Sequence, residues 1–538
     1  MKKSLLLIFL IITFLSKAQV SLVKEINSTG DGVAFYDNNR IEYNGKLLFA
    51  GYDNNNGMEL WESDGSNAGT ILLHTTNSAS GSANPRAFYK FNGLIYFSAT
   101  GTNIGDELYS TDGTSSGLVS YPEIAIFSDS SPRNFFTYNN NLVFVSLIRD
   151  YNLINYGREL LSFDGSPWTG NAGVPIMIQD INAGAPSSTV DNFTELNGTL
   201  FFSADDGING KEIWISNGQS SGTNIFLDIN SGSNSSDPAN FTFFNNKIYF
   251  TADDGVNGRE LWVTDGTVLG TQMVQDLFTG GSGNPTELTV FNNFLIFTAN
   301  NPSTGIEVFK MTTTENITLL KNINLGTANS SPFGYTVFNN ELYFAADNGS
   351  GIELWKSGGF PSNTNLLADI NPLGESTPKD FTAYNGKLYF NADNGTNGRE
   401  LWVTDGTSTG TQIVEDIWSG IASSDPLDLI VANDFLFFSA NNGSTGYELF
   451  KYQDPTLSIN NFEIKKSLII HPNPAEHSFS LKANFNINTV EVLDLTGKRM
   501  KIFKNTFESY NVKDLFSGIY IVNIQTEKGN ITKKLIKE

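Results

Sequence analysis

The chain has 538 residues, no cysteine, three histidines and 33 basic against 56 acidic side chains. Those counts exclude disulfides, a thiolate nucleophile and histidine-rich zinc sites. A net charge of −23 opposes binding to nucleic acid or to an anionic membrane.

In chain order, the first element is an export signal. Lys2 and Lys3 precede an apolar run over residues 5–15, and Ser16-Lys17-Ala18 supplies a small-residue cleavage site. This pattern predicts a signal peptide over residues 1–18, cut between Ala18 and Gln19. The run is too short to cross a bilayer, and no other segment reaches the roughly 18 apolar residues a spanning helix needs. The mature chain is therefore expected to be exported and not membrane-spanning.

Residues 19–455 are repetitive. Glu-Leu-Trp or a close variant recurs with its glutamate at Glu59, Glu107, Glu159, Glu212, Glu260, Glu307, Glu353, Glu400 and Glu448, at intervals of 46 to 53 residues. A fixed period of that length marks a repeat architecture. In the clearest unit, residues 380–420, aromatic and β-branched runs at 381–384, 387–392, 400–404 and 412–417 are separated by Asn385-Gly386, by a polar loop and by Asp405-Gly406. Such residues suit strands and such dipeptides suit tight turns, so each unit reads as a four-stranded antiparallel meander.

Four strands per repeat is one blade of a β-propeller. The last repeat stops after three strands, and residues 22–26 near the other end match the missing fourth. The reading is an all-β closed propeller of about nine blades, with the N-terminal strand completing the last one; two smaller rings are the alternative. The aromatic after Glu-Leu is expected to pack blade on blade. A glutamate present in every blade points to a structural hydrogen bond, because a catalytic acid needs one privileged copy.

In such a meander, the second-to-third loop and the connection to the next blade emerge on one side. Any site is expected on that Asp/Asn-rich face, where function is carried by loops on a rigid scaffold. No catalytic residue and no cofactor are expected. Calcium is a possible ligand of the Asp-Asp-Gly-x-Asn-Gly loops, through Asp205, Asp206 and Asn209 or Asp253, Asp254 and Asn257; turn chemistry explains the same residues. Blade three is the unusual one: its extended loop adds Arg149, Tyr151 and Tyr156 as ligand-binding candidates, with Trp168 following. Between residues 20 and 455 lie 18 basic and 48 acidic residues, a surface suited to a soluble exported monomer.

After a linker over 456–466, residues 467–538 turn basic and form short strands, read as a small β-sandwich. This segment resembles the type A C-terminal sorting domain of type IX secretion substrates. The resemblance rests on Pro472-Asn473-Pro474, on the run around Asp494, Gly497 and Lys498, on Gly518 and Tyr520, and on the closing Lys533-Lys534-Leu535-Ile536-Lys537; Phe516 stands where proline is common. It implies export through the periplasm and across the outer membrane of a Gram-negative bacterium by the type IX machinery, followed by removal of the domain and release or surface attachment. The repeats resemble the ELWxxDGT family, with full matches at 260–267 and 400–407, a resemblance that implies a surface protein and no reaction. The Asp-Gly-Thr turns look like the structural Asp-box turns of sialidase-type propellers.

The expected function is thus non-enzymatic binding or adhesion toward a polysaccharide or other surface ligand. A carbohydrate-active hydrolase using a carboxylate pair, or a protein-binding or structural surface component, is the alternative.

Overall fold

The computed structural model describes residues 19–33, 38–77, 81–121, 124, 129–150, 152–166, 173–454, 468–483, 486–494, 498–504, 509–526 and 529–538. The signal peptide with Ala18, the linker, Tyr151, Trp168 and Gly497 lie outside them. Val20–Tyr452 forms one compact unit, and the segment from Gln453 onward belongs to a second.

Nine four-stranded antiparallel sheets make up the first unit. The eighth blade shows how closely local chemistry dictates the element: Lys379–Tyr384, Lys387–Asp393, Arg399–Thr404 and Gln412–Glu415. Its first hairpin turns at Asn385 and Gly386, both with positive φ (47° and 74°), the combination a tight two-residue hairpin requires. Blades two, three and four begin at Arg86, Arg133 and Asp191.

The ninth blade is assembled from both ends of the unit. Leu427–Ala432, Phe435–Asn441 and Tyr447–Gln453 supply three strands, and Gln19–Lys24 pairs with the last of them as the fourth. Strand pairing begins three residues before the 22–26 expected from the repeat match. Consecutive first strands touch around the full circle, including that of blade nine against that of blade one, so they form the inner wall of a closed ring. Val23, Phe49, Trp61, Phe437 and Leu449 share one buried cluster across the seam, and Lys451 Nζ donates to the Gly65 carbonyl across it at 2.7 Å. No sheet edge is left open there.

The repeated aromatic packs between blades as expected. Trp402 is 8% exposed and sits with Leu354 and Phe338 of the preceding blade; Trp214 joins Val143 and Leu160 of blade three in the same way. Leu161, the aliphatic exception, is buried too. One departure from a simple meander recurs: the first strands of blades two to nine each carry a register shift. At that place lies a residue of positive φ, such as Asn134 (55°) or Asp428 (61°). This β-bulge bends each strand into the channel.

The second unit is a β-sandwich. A sheet of Ile469–His471, Ser478–Lys482 and Tyr510–Asn511 faces one of Arg499–Lys504, Ile487–Leu493, Gly518–Thr526 and Gly529–Lys537. Phe479, Val490, Val492, Val522, Ile524 and Leu535 form its core. The Asn473 amide donates to the Lys534 carbonyl and accepts from the Ile536 N–H, both at 2.8 Å, which clips the Pro-Asn-Pro turn to the last strand. Asp494 and Lys498 bond each other across a turn, Gly518 opens its strand, and the buried Tyr520 donates its hydroxyl hydrogen to the Phe516 carbonyl. Among the described residues, no helix is long and apolar enough to cross a membrane.

Removal of Gln19–Asn27 should lower the melting temperature and cause association through the freed edge at Tyr447–Gln453. Calorimetry with size-exclusion chromatography checks this; an unchanged melt would contradict closure by that strand.

Candidate functional site

The repeated glutamates organise the loop face without forming a reactive set. All nine are at most 3% exposed. In blade eight, Glu400 accepts the Ile417 N–H at 3.0 Å, the Ser424 N–H at 3.1 Å and the Ser424 hydroxyl at 2.5 Å. Glu212, Glu353 and Glu448 receive equivalent bonds from the connection that follows their own blade. The residue of the connection that faces the carboxylate is always small: Gly32, Ala83, Ser130, Ser188, Ser236, Gly283, Ser330, Ser376 or Ser424. A Cβ on Gly32 would stand 2.3 Å from the Glu448 carboxylate. The same residue's carbonyl accepts an N–H from the second strand of the next blade, as Ser424 does from Asn441 at 2.9 Å and Gly32 from Tyr52 at 2.8 Å. Each glutamate therefore stitches two blades together.

Burial raises the pKa of all nine carboxyls, to about 8 for Glu107 and about 7 for Glu159, Glu260, Glu400 and Glu448, against the hydrogen bonds that lower it.

The calcium candidates are arranged as turns. Asp206 accepts the N–H groups of Ile208 and Asn209 and the Asn209 amide, while Asp205 accepts the Gly207 N–H. Asp254 and Asp253 repeat the pattern with Val256, Asn257 and Gly255. Among the described residues, no group of three or more His, Cys, Asp or Glu side chains is placed to hold a metal ion. His74 is buried, and its Nε2 lies 3.2 Å from the Thr111 hydroxyl.

Of the blade-three candidates, Arg149 ends the second strand and is half-buried, and the Tyr156 hydroxyl lies 3.5 Å from Asp150. Neither lines a cavity described in this structure. The concavity on this side of the ring lies further inward, at the inner-strand wall of blades two to four. It measures about 710 Å³ and is lined by Arg86, Arg133, Arg158 and Lys211, by Tyr89 and Phe135, and by a single carboxylate, Asp191. That volume lies in the range of ordinary small-ligand sites.

Local folding explains each cation. Arg133 opens the first strand of blade three beside a left-handed Ser131 and Pro132. Arg158 and Lys211 each precede the buried glutamate of their blade, which fixes their backbone at the channel mouth. Arg158 Nη1 donates to the carbonyls of Ser130 and Ser131 at 3.3 and 2.9 Å. Arg86 is ion-paired with Asp106. Arg133, Arg158 and Lys211 have no ion pair among the described residues. Burial, with Arg133 and Arg86 nearby, depresses the Arg158 pKa. In the sequence these cations stand at ordinary repeat positions, since Arg-Glu also occurs at 259–260 and 399–400.

The inner wall is also uneven further down. Glu42, Lys90, Thr137 and Glu195 occupy the penultimate first-strand position in blades one to four, whereas blades five to nine carry Phe243, Val290, Val337, Ala383 and Val431 there.

Comparison with known proteins gives a family for the C-terminal unit: residues 469–538 match the secretion system C-terminal sorting domain. No curated protein matches the chain. Similar solved structures include PorZ, described as an essential bacterial surface component of the type IX secretion system of Porphyromonas gingivalis, at 13% identity over 92% of this chain and 74% of that one, with a TM-score of 0.32. A puromycin-hydrolyzing peptidase of Mycobacterium tuberculosis is 9% identical over 79% of this chain and 61% of its own, TM-score 0.38. The β-propeller domain of the Trilobed protease from Pyrococcus furiosus is 8% identical over 68% and 94%, TM-score 0.31. Likenesses this distant carry no activity over to this chain.

Two outcomes follow from the stitch. Glu400→Ala strands the Ile417 and Ser424 donors, so denaturant unfolding should show a loss of about 3 kcal/mol. Because the folded carboxyls hold protons up to about 7 and the unfolded ones only to the ordinary 4.5, their contribution favours the native state at low pH and fades as pH rises through 7. Melting temperature should therefore fall between pH 5.5 and pH 8, with a shallower slope in Glu400→Gln; an equal slope would refute the assignment.

Proposed function

We propose that this is an exported, non-enzymatic binding propeller that engages a glycan or similar surface ligand at the mouth of its channel, on blades two to four. The sorting domain implies delivery by the type IX secretion machinery. The observation that supports binding there is the concavity itself: three cations without ion-pair partners among the described residues, gathered in a ring whose charge is otherwise strongly negative. Like charges held together on rigid strands raise the energy of the empty protein, and an arriving ligand relieves it. Eight of the nine repeated glutamates accept backbone N–H groups, and Glu107 accepts the Ser130 hydroxyl, which supports a structural role.

Incubating the mature chain with a panel of polysaccharides, and recording both retained protein and newly released reducing ends, tests this reading. Retention without release is the expected result; release would instead establish a hydrolase. Export should fail when residues 469–538 are deleted, read as loss of the protein from the medium and cell surface.

A further inference from the structure

Arg158 has counterparts in blades five and eight. In blade five, Arg259 donates to the Ser236 and Asp237 carbonyls and has the neutral Asn284 at the following connection. What distinguishes blade three is therefore the company of Arg133, Arg86 and Lys211 in one concavity. Arg399 holds the same position in blade eight and makes the same contacts, to the carbonyls of Ser376 and Thr377. It is neutralised: Asp425 lies 3.8 Å from its Nε, and Asp393, Asp380 and Glu375 add negative charge around it. Asp425 is the left-handed residue following the stitch serine. In the corresponding place beside Arg158 stands Thr189, also left-handed (φ 48°), so the counter-ion is gone. Arg133 and Arg86 add positive charge around Arg158, with Asp129 opposing them; Asp106 is taken up by Arg86, and Asp191 lines the same concavity. The next blade adds Lys211 where blade eight's neighbour has Tyr447. One arginine, used structurally elsewhere, is here left with Nε and Nη2 donating to no described group.

The charge is local. The ring as a whole carries many more acids than bases, and at physiological salt such a field extends about 8 Å. A polyanion would be repelled along most of its length, whereas an otherwise neutral ligand bearing an isolated acid group would meet only the cationic patch. Beside the cations, the half-buried rings of Tyr89 and Phe135 lie 6.2 Å apart, tilted by 34°, and offer an apolar platform. Asp191, already accepting from Asn134 and Asn192, is an acceptor for a hydroxyl. A cationic cluster, an aromatic platform and a hydroxyl acceptor within one concavity describe one ligand class.

Resting on the proposed binding function, we infer that this site takes an acidic saccharide, its anionic group held by Arg133, Arg158 and Lys211 and its ring faces set against Tyr89 and Phe135. The anion can be a carboxylate or a phosphate ester, since a guanidinium fork serves both.

Titration calorimetry on the full-length chain tests it with three probes that differ in one group: galacturonate, neutral galactose and galactose 6-phosphate. At least one acidic probe should bind ten-fold or more tighter than the neutral one, and affinity should fall with added salt; which acid prevails identifies the anion. Arg133→Ala and Lys211→Ala should each weaken that binding about ten-fold or more, the loss expected of one charge-assisted hydrogen bond. Arg158→Lys should retain part of it. Arg399→Gln, which removes the blade-eight counterpart, should leave affinity unchanged, separating a binding role from a general effect on the fold; melting curves confirm that each variant is folded. Equal binding of acidic and neutral probes, or no effect of Arg133→Ala and Lys211→Ala, overturns the anionic assignment while leaving saccharide binding standing. Binding of no saccharide at all overturns both.

Discussion

A carboxylate buried without a counter-ion is costly, and this protein repeats that cost nine times. What makes it tolerable is the supply of backbone donors: a chain segment leaving one blade turns so that its N–H groups converge on the glutamate of that blade. The rest of the inter-blade geometry follows from this demand. The residue facing the carboxylate is Ser, Ala or Gly in every blade, and at Gly32 and Gly283 even a Cβ would collide with it. The residue after it turns left-handed, as at Asn84, Asp237, Asn284 and Asp425, and proline commonly follows, directing the chain into the next inner strand. A short connection, rich in Ser, Gly, Asn and Asp, thereby determines how one blade is set against the next.

That regularity makes the exceptions informative. Where every blade uses the same frame, a substitution at one framed position changes the surface without changing the scaffold. Replacement of an aspartate by Thr189 leaves Arg158 in place and alters only its electrical surroundings. The two arcs of the inner wall, polar on blades one to four and apolar on blades five to nine, have the same origin. The ring is thus symmetric in its backbone and asymmetric in its chemistry, which is how a repeat scaffold acquires a direction.

Much of this was legible in the sequence. Strand spans and hairpin chemistry follow from local patterning, because each depends on residues close together in one repeat; the blade count and the ring closure follow from the period and from the match between the two ends. The glutamate's partners were not legible: Ser424 lies 24 residues beyond Glu400, and the donors are backbone groups that leave no compositional trace. The bulge in the first strand was hidden for the same reason. The blade-three insertion was legible as a departure from the repeat, but Arg149 and Tyr156 are not among the residues that line the concavity of blades two to four. The cations that do meet there, Arg133, Arg158 and Lys211, come from three separate strands, and ordinary-looking positions brought them together.

The seam strand has a temporal meaning. Asn27 and Glu448, bonded to each other, stand 421 residues apart. Loop-closure entropy grows only logarithmically, so joining such distant ends costs about 5 kcal/mol, little more than closing a much shorter circuit. Yet the last blade gains its outer strand only once both segments are present, whatever the order in which the intervening blades form. Until then the chain is an open arc with two unfinished flanks, and the cooperative gain of a sealed circle arrives as the final event rather than accumulating along the way.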